Sequence, residues 1–359
     1  MLHHTIARCP CCLGQNRSLL LACGLMAAAL VLAAFDWPAP RLKQRLSEYG
    51  FFVGPLAQLQ PAADVLSYEV NAPLFSDYAE KARFIALPPG TRMTFRSQGP
   101  FDFPVGSVLI KNFFYFNKKQ NPEQGRRVVE TRLLVREAEG WQALTYVWNA
   151  AQTEAFLEVA GAEMPVEWTD AAGKRRTLNY QVPNINQCKG CHATDGQLVP
   201  IGVTAAQLLR RRDDAYPLAQ WVAAGRLAVG DKAQLTDAVP LADYENPTLP
   251  IEARARAYLH ANCAHCHNAR GPASTSGLFL EASQTDPMRL GVNKPPVAAG
   301  RGSGNRKYSI APGKPHESIL LYRMEQDDPG IRMPELGRQV AHREGVELIR
   351  QWIRQLSAP

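Results

Sequence analysis

Two five-residue runs of this 359-residue chain carry the groups for one kind of chemistry: Cys188-Lys-Gly-Cys191-His192 and Cys263-Ala-His-Cys266-His267. Each pairs two thiols three positions apart with an adjoining imidazole, the C-x-x-C-H pattern of covalent haem attachment. On a helical turn both thiols can reach the vinyl groups of one porphyrin and form thioethers, and the imidazole then lies under the iron as its axial ligand. Zinc is the competing reading, with four thiolates or with two thiolates and two imidazoles, and a dithiol redox pair is another. Zinc needs no histidine directly after the second cysteine, yet both runs have one, and no βαβ pattern surrounds either run. The expected cofactors are two covalently bound haem c groups, held at Cys188, Cys191, Cys263 and Cys266, with His192 and His267 as iron ligands.

A six-coordinate iron needs a second axial ligand, and methionine there raises the potential relative to histidine. Met333, in the proline-marked run Arg332-Met-Pro-Glu-Leu-Gly337 ahead of the last helical pattern, is the candidate for the second haem. Met324 competes, but it follows Ile319-Leu-Leu-Tyr322 on a helical pattern and reads as a core residue. Between His192 and Pro250 there is neither methionine nor histidine. The first haem must therefore take a ligand from elsewhere, Met164, His260, His316 or His342, or keep an open position where ligand binding or peroxide chemistry could occur.

Haem c attachment belongs outside the cytoplasm, and the chain opens with a matching segment. Residues 18–35 carry no charge and come after Arg8 and Arg17, which orients the downstream chain outward. Three forms are open: a cleaved signal peptide with small residues at Val31-Leu-Ala33, an uncleaved inner-membrane anchor, or a lipid-modified Cys23. Cys9, Cys11, Cys12 and Cys23 all lie in or before this segment, so the remainder has no cysteine beyond those of the two motifs. The net charge is +7, and residues 251–359 alone carry 15 basic and 10 acidic side chains. That asymmetry is either a solvated basic face or an electrostatic guide toward an acidic redox partner or anionic membrane. Export and haem argue against nucleic acid more strongly than the basic charge argues for it.

The elements that must position these groups fall into four stretches: 1–36, signal peptide or membrane anchor; 37–182, β-rich module; 183–250, first haem segment; 251–359, second haem domain. Residues 37–66 mix Pro-Ala-Pro with a short helical pattern and read as a tether. Strand patterns occur at 83–87, 91–96, 107–116, 126–135, 141–148, 165–169 and 175–182, separated by turns such as Pro88-Pro-Gly90, with one short helix expected at 152–160. Helices are expected at 204–212, 217–225, 251–261 and 342–356, the last with Val346, Ile349, Trp352 and Ile353 on one face. The fold class expected is multidomain α+β: an antiparallel, sandwich-like β-rich module followed by mainly helical haem modules.

The run Asn71-Ala-Pro-Leu-Phe-Ser-Asp-Tyr-Ala-Glu-Lys-Ala-Arg83, with Glu130-Thr-Arg-Leu-Leu134, Tyr146-Val-Trp-Asn149, Gln187-Cys-Lys-Gly-Cys-His192, Lys294-Pro-Pro-Val-Ala-Ala-Gly-Arg301 and Trp352-Ile353, resembles a family of exported bacterial diheme c-type cytochromes over residues 40–356. The C-terminal half, with Pro312-Gly-Lys-Pro-His-Glu-Ser318 ahead of the Met-Pro loop, is similar to class I cytochrome c domains. The resemblance implies haem at both motifs, Met333 as a distal ligand and periplasmic electron transfer. It implies no substrate. A peroxidase-like enzyme with an open first haem and a haem-containing envelope binding or sensor protein are the alternatives. Asp77, Lys81 and Arg83 are either a partner surface or a structural ion-pair set.

Overall fold

The computed structural model describes residues 42–209, 217–230 and 238–357. The expected export segment lies outside them, and Ala39–Pro359 forms one compact unit. The alternating runs pair as a six-stranded sheet of β1 (Val65–Tyr68), β2 (Glu80–Ala86), β3 (Val108–Phe116), β4 (Arg126–Glu137), β5 (Gly140–Trp148) and β6 (Ala155–Leu157), in that order. All neighbours are antiparallel. The region is thus antiparallel and β-rich, in a mixed α+β protein. A second hairpin, β7 (Ala162–Thr169) and β8 (Arg175–Val182), and helices supply the layer over the sheet.

Period two divides the sheet into faces of different character. On one, Phe84, Ile110, Phe114, Leu133 and Tyr146 form a continuous apolar layer, covered by Leu46, Phe51 and Leu59. The stretch expected as a tether is therefore, from residue 45 onward, a lid on the sheet. Its leucines and phenylalanines would otherwise leave that layer wet, and the adjoining Pro-Ala-Pro concealed this from composition. The other face is interrupted. At one end Ile85 and Leu109 pack with Phe101, Leu208 and Trp221; at the other Phe113, Tyr115 and Val129 pack under Trp168 and Tyr180 of the second hairpin.

Two local expectations are corrected. Residues 152–160 hold β6, not a helix: Gln152 adopts φ 57° and its side-chain amide bonds both the N–H and the C=O of Val128, at 2.7 and 3.0 Å, turning the chain back to the sheet. The strand expected at 91–96 is only Met93–Thr94, which pairs in parallel with Leu227–Ala228 apart from the sheet.

The rest joins short helices by long irregular segments. α1 (Ile185–His192) comes after the second hairpin, and α2 (Ala205–Leu208) and α3 (Pro217–Ala223) pack on the sheet; the end of the helix expected at 204–212 lies outside the described residues. α4 (Ile251–Leu259), α5 (Ile319–Glu325) and α6 (Arg343–Gln355) enclose a core of Tyr258, Leu259, Leu321, Met324, Ile349, Trp352 and Ile353. Gly345 lets α6 approach α4, since a Cβ there would stand 2.4 Å from the Tyr258 ring.

One segment, Asn71 to Tyr78, joins these helices to the sheet. Gln207 exchanges side-chain bonds of 2.9 Å with the N–H and C=O of Ala72, Tyr244 Oη donates to Pro73 O, and the Phe75 ring stacks on His342 with centroids 4.1 Å apart. Asp77 ends the seam from inside: it is 3 % exposed, and its carboxylate accepts the N–H groups of Gln339 and Val340 at 2.6 and 3.0 Å.

Candidate haem-attachment site

α1 begins on a capping box, Asn184 Oδ1 accepting from Gln187 N and Gln187 Oε1 accepting from Asn184 N, both at 2.9 Å. The cap starts the helix at a fixed place, so Cys188 and Cys191 fall one turn apart on one side with His192 beside them. His192 Nδ1 donates to Val199 O at 2.9 Å, which leaves Nε2 with a free lone pair, the state an iron ligand needs. Burial holds this imidazole near pKa 4, so it is neutral at physiological pH.

The second motif is set differently. α4 runs into a π-helical turn, His260–Ala264, that delivers Cys263, and the backbone then tightens so that Cys266 N and His267 N both donate to Cys263 O, at 3.1 and 2.9 Å. Asn262, one residue ahead, is clamped by Phe75 N and Tyr258 O. His267 Nδ1 lies 3.3 Å from Ser276 Oγ, whose own proton goes to Ala273 O, so the imidazole donates and its Nε2 is again free. Burial holds His267 near pKa 4 and pushes the Cys263 thiol up to about 12.

The fold brings the motifs together although 75 residues separate His192 from His267. Cys266 Sγ donates to Gly190 O at 3.2 Å, and donor atoms of Cys191, Cys266 and His265 all lie within 4.8 Å of one another. Arg270 pairs with Asp195 and its C=O accepts Asp195 N at 3.0 Å, tying together the chains that leave the two motifs. The close approach of the Cys266 thiol favours the Cys191 thiolate, so Cys191 is shifted down and Cys266 up. His265 Nδ1 is buried without a partner.

A cavity of about 190 Å³ opens on this junction, and Cys188, Cys191, His192, Cys263 and Met333 all line it. Met333 is held through its backbone: its N–H donates to Arg323 O at 3.0 Å, and its C=O accepts from the buried Arg338 guanidinium at 3.0 and 3.2 Å. Leu336 of the same loop abuts Gly190, where a Cβ would meet it at 2.9 Å. The Met-Pro loop therefore touches the first motif as well as standing beside the second. Cys266 and His267 are not on the cavity lining.

The other candidate ligands divide clearly. Met324 is 5 % exposed in the helical core but reaches the cavity, as does His342. Met164 packs in the second hairpin opposite Tyr180, away from the cavity. His260 accepts Ala282 N at 3.1 Å and lines a separate open cleft of about 2070 Å³ that also reaches Cys191 and His265. His316 is exposed. Asp77 forms no outer partner surface, because its carboxylate is turned inward to the loop behind Met333.

Sequence reasoning missed the opposite wall. Arg83, Lys111 and Arg132 occupy directly paired positions on β2, β3 and β4 and line the cavity together. They fill the gap between the two apolar ends of the interrupted face. Burial and the neighbouring cations hold Lys111 well below the usual lysine range. The signal was present in the sequence: Lys111 falls on an inward position of Leu109-Ile-Lys-Asn-Phe113, where alternation calls for an apolar side chain.

A porphyrin fits this donor set on three counts. Two thiols and a neutral imidazole with a free Nε2 share the cavity edge, Met333 lines the same cavity, and three cations on its wall could meet carboxylates. Compared with known proteins, the chain matches no family model, no curated protein and no solved structure.

Proposed function

We propose that the chain is an exported diheme c-type cytochrome that passes electrons between redox partners. The observation that carries this reading is the convergence of two complete C-x-x-C-H motifs, from distant parts of the sequence, at one junction beside a methionine. Bound haem supplies a one-electron iron centre. The residues do the rest: Cys188 and Cys191, and separately Cys263 and Cys266, anchor by thioethers; His192 and His267 present Nε2; Met333 offers a sulfur for the second haem. Adjacent attachment points favour electron exchange within the molecule. The helical region after residue 250, with α4 entering its motif and α6 crossing α4, is consistent with a class I cytochrome c frame. The excess positive charge of residues 251–359 suits an acidic redox partner.

Haem c attachment places the protein outside the inner membrane, released or tethered by residues 18–35. Among the described residues no helix is long and apolar enough to cross a membrane. Intact mass of the exported protein tests the reading. Two haems that survive acid–acetone extraction are expected, and Cys188→Ala with Cys191→Ala should remove one and leave the other. A protein with bound zinc and no haem would refute it.

A second reading rests on the cluster of Cys191, His265 and Cys266, whose spacing suits a soft metal ion with one open position. It requires unmodified thiols. Metal analysis alongside the mass separates the two, since thioether formation at Cys191 and Cys266 removes the site.

A further inference from the structure

We propose that Arg83, Lys111 and Arg132 form a carboxylate-binding row that holds the propionates of the haem attached at Cys188 and Cys191. The inference rests on the haem reading above and extends it to residues on a different part of the chain.

The strand register makes the row. Arg83 pairs with Lys111 and Lys111 with Arg132 across β2, β3 and β4, so the three side chains project side by side from one face. Like charges directly opposite one another in a sheet are destabilising, and here they interrupt a face that is apolar at both ends. Glu130 addresses the row at its Arg132 end. Glu130 accepts from Arg132 at 2.5 and 2.9 Å, and it also accepts from Tyr180 Oη at 2.5 Å, so its oxygens are already committed at that end. Among the described residues no ion pair joins Arg83 or Lys111 to a carboxylate, although Glu69 and Glu80 stand near Arg83. Partly buried cations set side by side on a cavity wall call for an anion to complete the site.

Placement identifies the anion. The three cations share their cavity with Cys188, Cys191 and His192. α1, which carries Cys188, packs on β5, the strand that pairs with β4, so Arg132 is the member of the row nearest the attachment helix. Arg83 lies two interstrand spacings from Arg132, about 10 Å. In a haem the carboxylates leave the ring on the edge away from the vinyl groups, so a ring tethered beside Arg132 would carry them toward the Lys111 and Arg83 end. A small free anion would answer the same charges, but it would not require the row to begin at an attachment cysteine.

The test uses the haem-loaded full chain. Arg83→Gln, Lys111→Gln and Arg83→Lys are compared with wild type by intact mass and by a redox titration that resolves each haem by its EPR signal. Removing a cation leaves a propionate charge uncompensated and disfavours the added electron. Both Gln variants should therefore lower the potential of the His192 haem with little change at the His267 haem, and Arg83→Lys should restore most of it. Lys111→Gln removes the central one of three like charges set side by side, so it carries the test if Arg83→Gln does not fold. Two haems by mass with unchanged potentials in the Gln variants would overturn the inference and leave the cytochrome reading standing. A wild-type potential that moves with added acetate would overturn it by placing a free anion on the row. Absence of haem at Cys188 and Cys191 would overturn both.

Discussion

The first C-x-x-C-H motif lies over a sheet and the second runs out of a cluster of helices, and their surroundings differ in kind. Around Cys188 and His192 the wall is a strand face with three cations at paired positions, kept open between two apolar clusters. Around Cys263 the wall is the interior of α4, α5 and α6, with Tyr258, Leu321 and Trp352 close-packed. The first motif thus shares its cavity with the row of cations, while the second reaches that cavity at Cys263 and otherwise packs against an apolar core. Haem potentials respond to burial, charge and the second axial ligand, so the haems proposed for these two settings would be unequal. The Met-Pro loop bridges them, its Met333 backbone held by Arg323 and Arg338 while Leu336 rests on Gly190 of the first motif.

The contrast can be broken from the helical side first. Trp352 is 1 % exposed at the centre of the second region, and Trp352→Ala should cost about 3–5 kcal/mol. Thermal unfolding followed at each haem should show loss around Cys263 ahead of loss around Cys188. Simultaneous loss at both would mean that the two regions unfold as one.

The seam between the regions should give a smaller effect. Asp77 satisfies two partly buried N–H groups of the loop behind Met333 from a backbone at φ 50°, a conformation aspartate tolerates better than most residues. Asp77→Ala strands those donors at about 1–3 kcal/mol. Chemical denaturation measures this, and the visible spectrum of the Met333 site should change along with it. A stability loss with an untouched spectrum would show that the seam braces the fold without positioning Met333.

The smallest expected effect is in pH. His342, stacked on Phe75 and 3.2 Å from Tyr258 Oη, is held near pKa 4 by burial, against 6.5 when solvated. Between pH 6.5 and 4 the unfolded chain takes up a proton that the folded chain refuses, so this residue's contribution is full above pH 6.5 and is lost as pH falls toward 4. In the haem-loaded protein His192 and His267 are ligated and drop out of this window. His342→Gln should then flatten the fall of the melting temperature between those pH values, and an unaltered slope would assign the acid sensitivity to His260 or to carboxylates.

Much of the local structure was legible in the sequence, and its limits are physical. Alternation located β3, β4, β5 and the second hairpin, and the apolar face of Val346, Ile349, Trp352 and Ile353 located α6. The two C-x-x-C-H runs could be read directly because the thioether chemistry they suggest would need its cysteines and histidine as neighbours along the chain. Other features depend on residues distant in sequence. Arg83, Lys111 and Arg132 become one row only once strand register pairs them, and Cys191 meets Cys266 only once α1 and α4 are placed. The stretch before β1 was misread because its role is to cover a sheet that had yet to be assembled, and residues 152–160 because a glutamine side chain stands in for backbone pairing.

Continuous-wave EPR of the fully oxidised, haem-loaded protein tests most directly whether the two sites lie side by side. Neighbouring low-spin ferric irons interact magnetically. The spectrum of the wild-type protein should therefore differ from the sum of two single-haem variants, Cys188→Ala with Cys191→Ala and Cys263→Ala with Cys266→Ala. A wild-type spectrum equal to that sum would separate the haems and contradict the convergence of the two motifs.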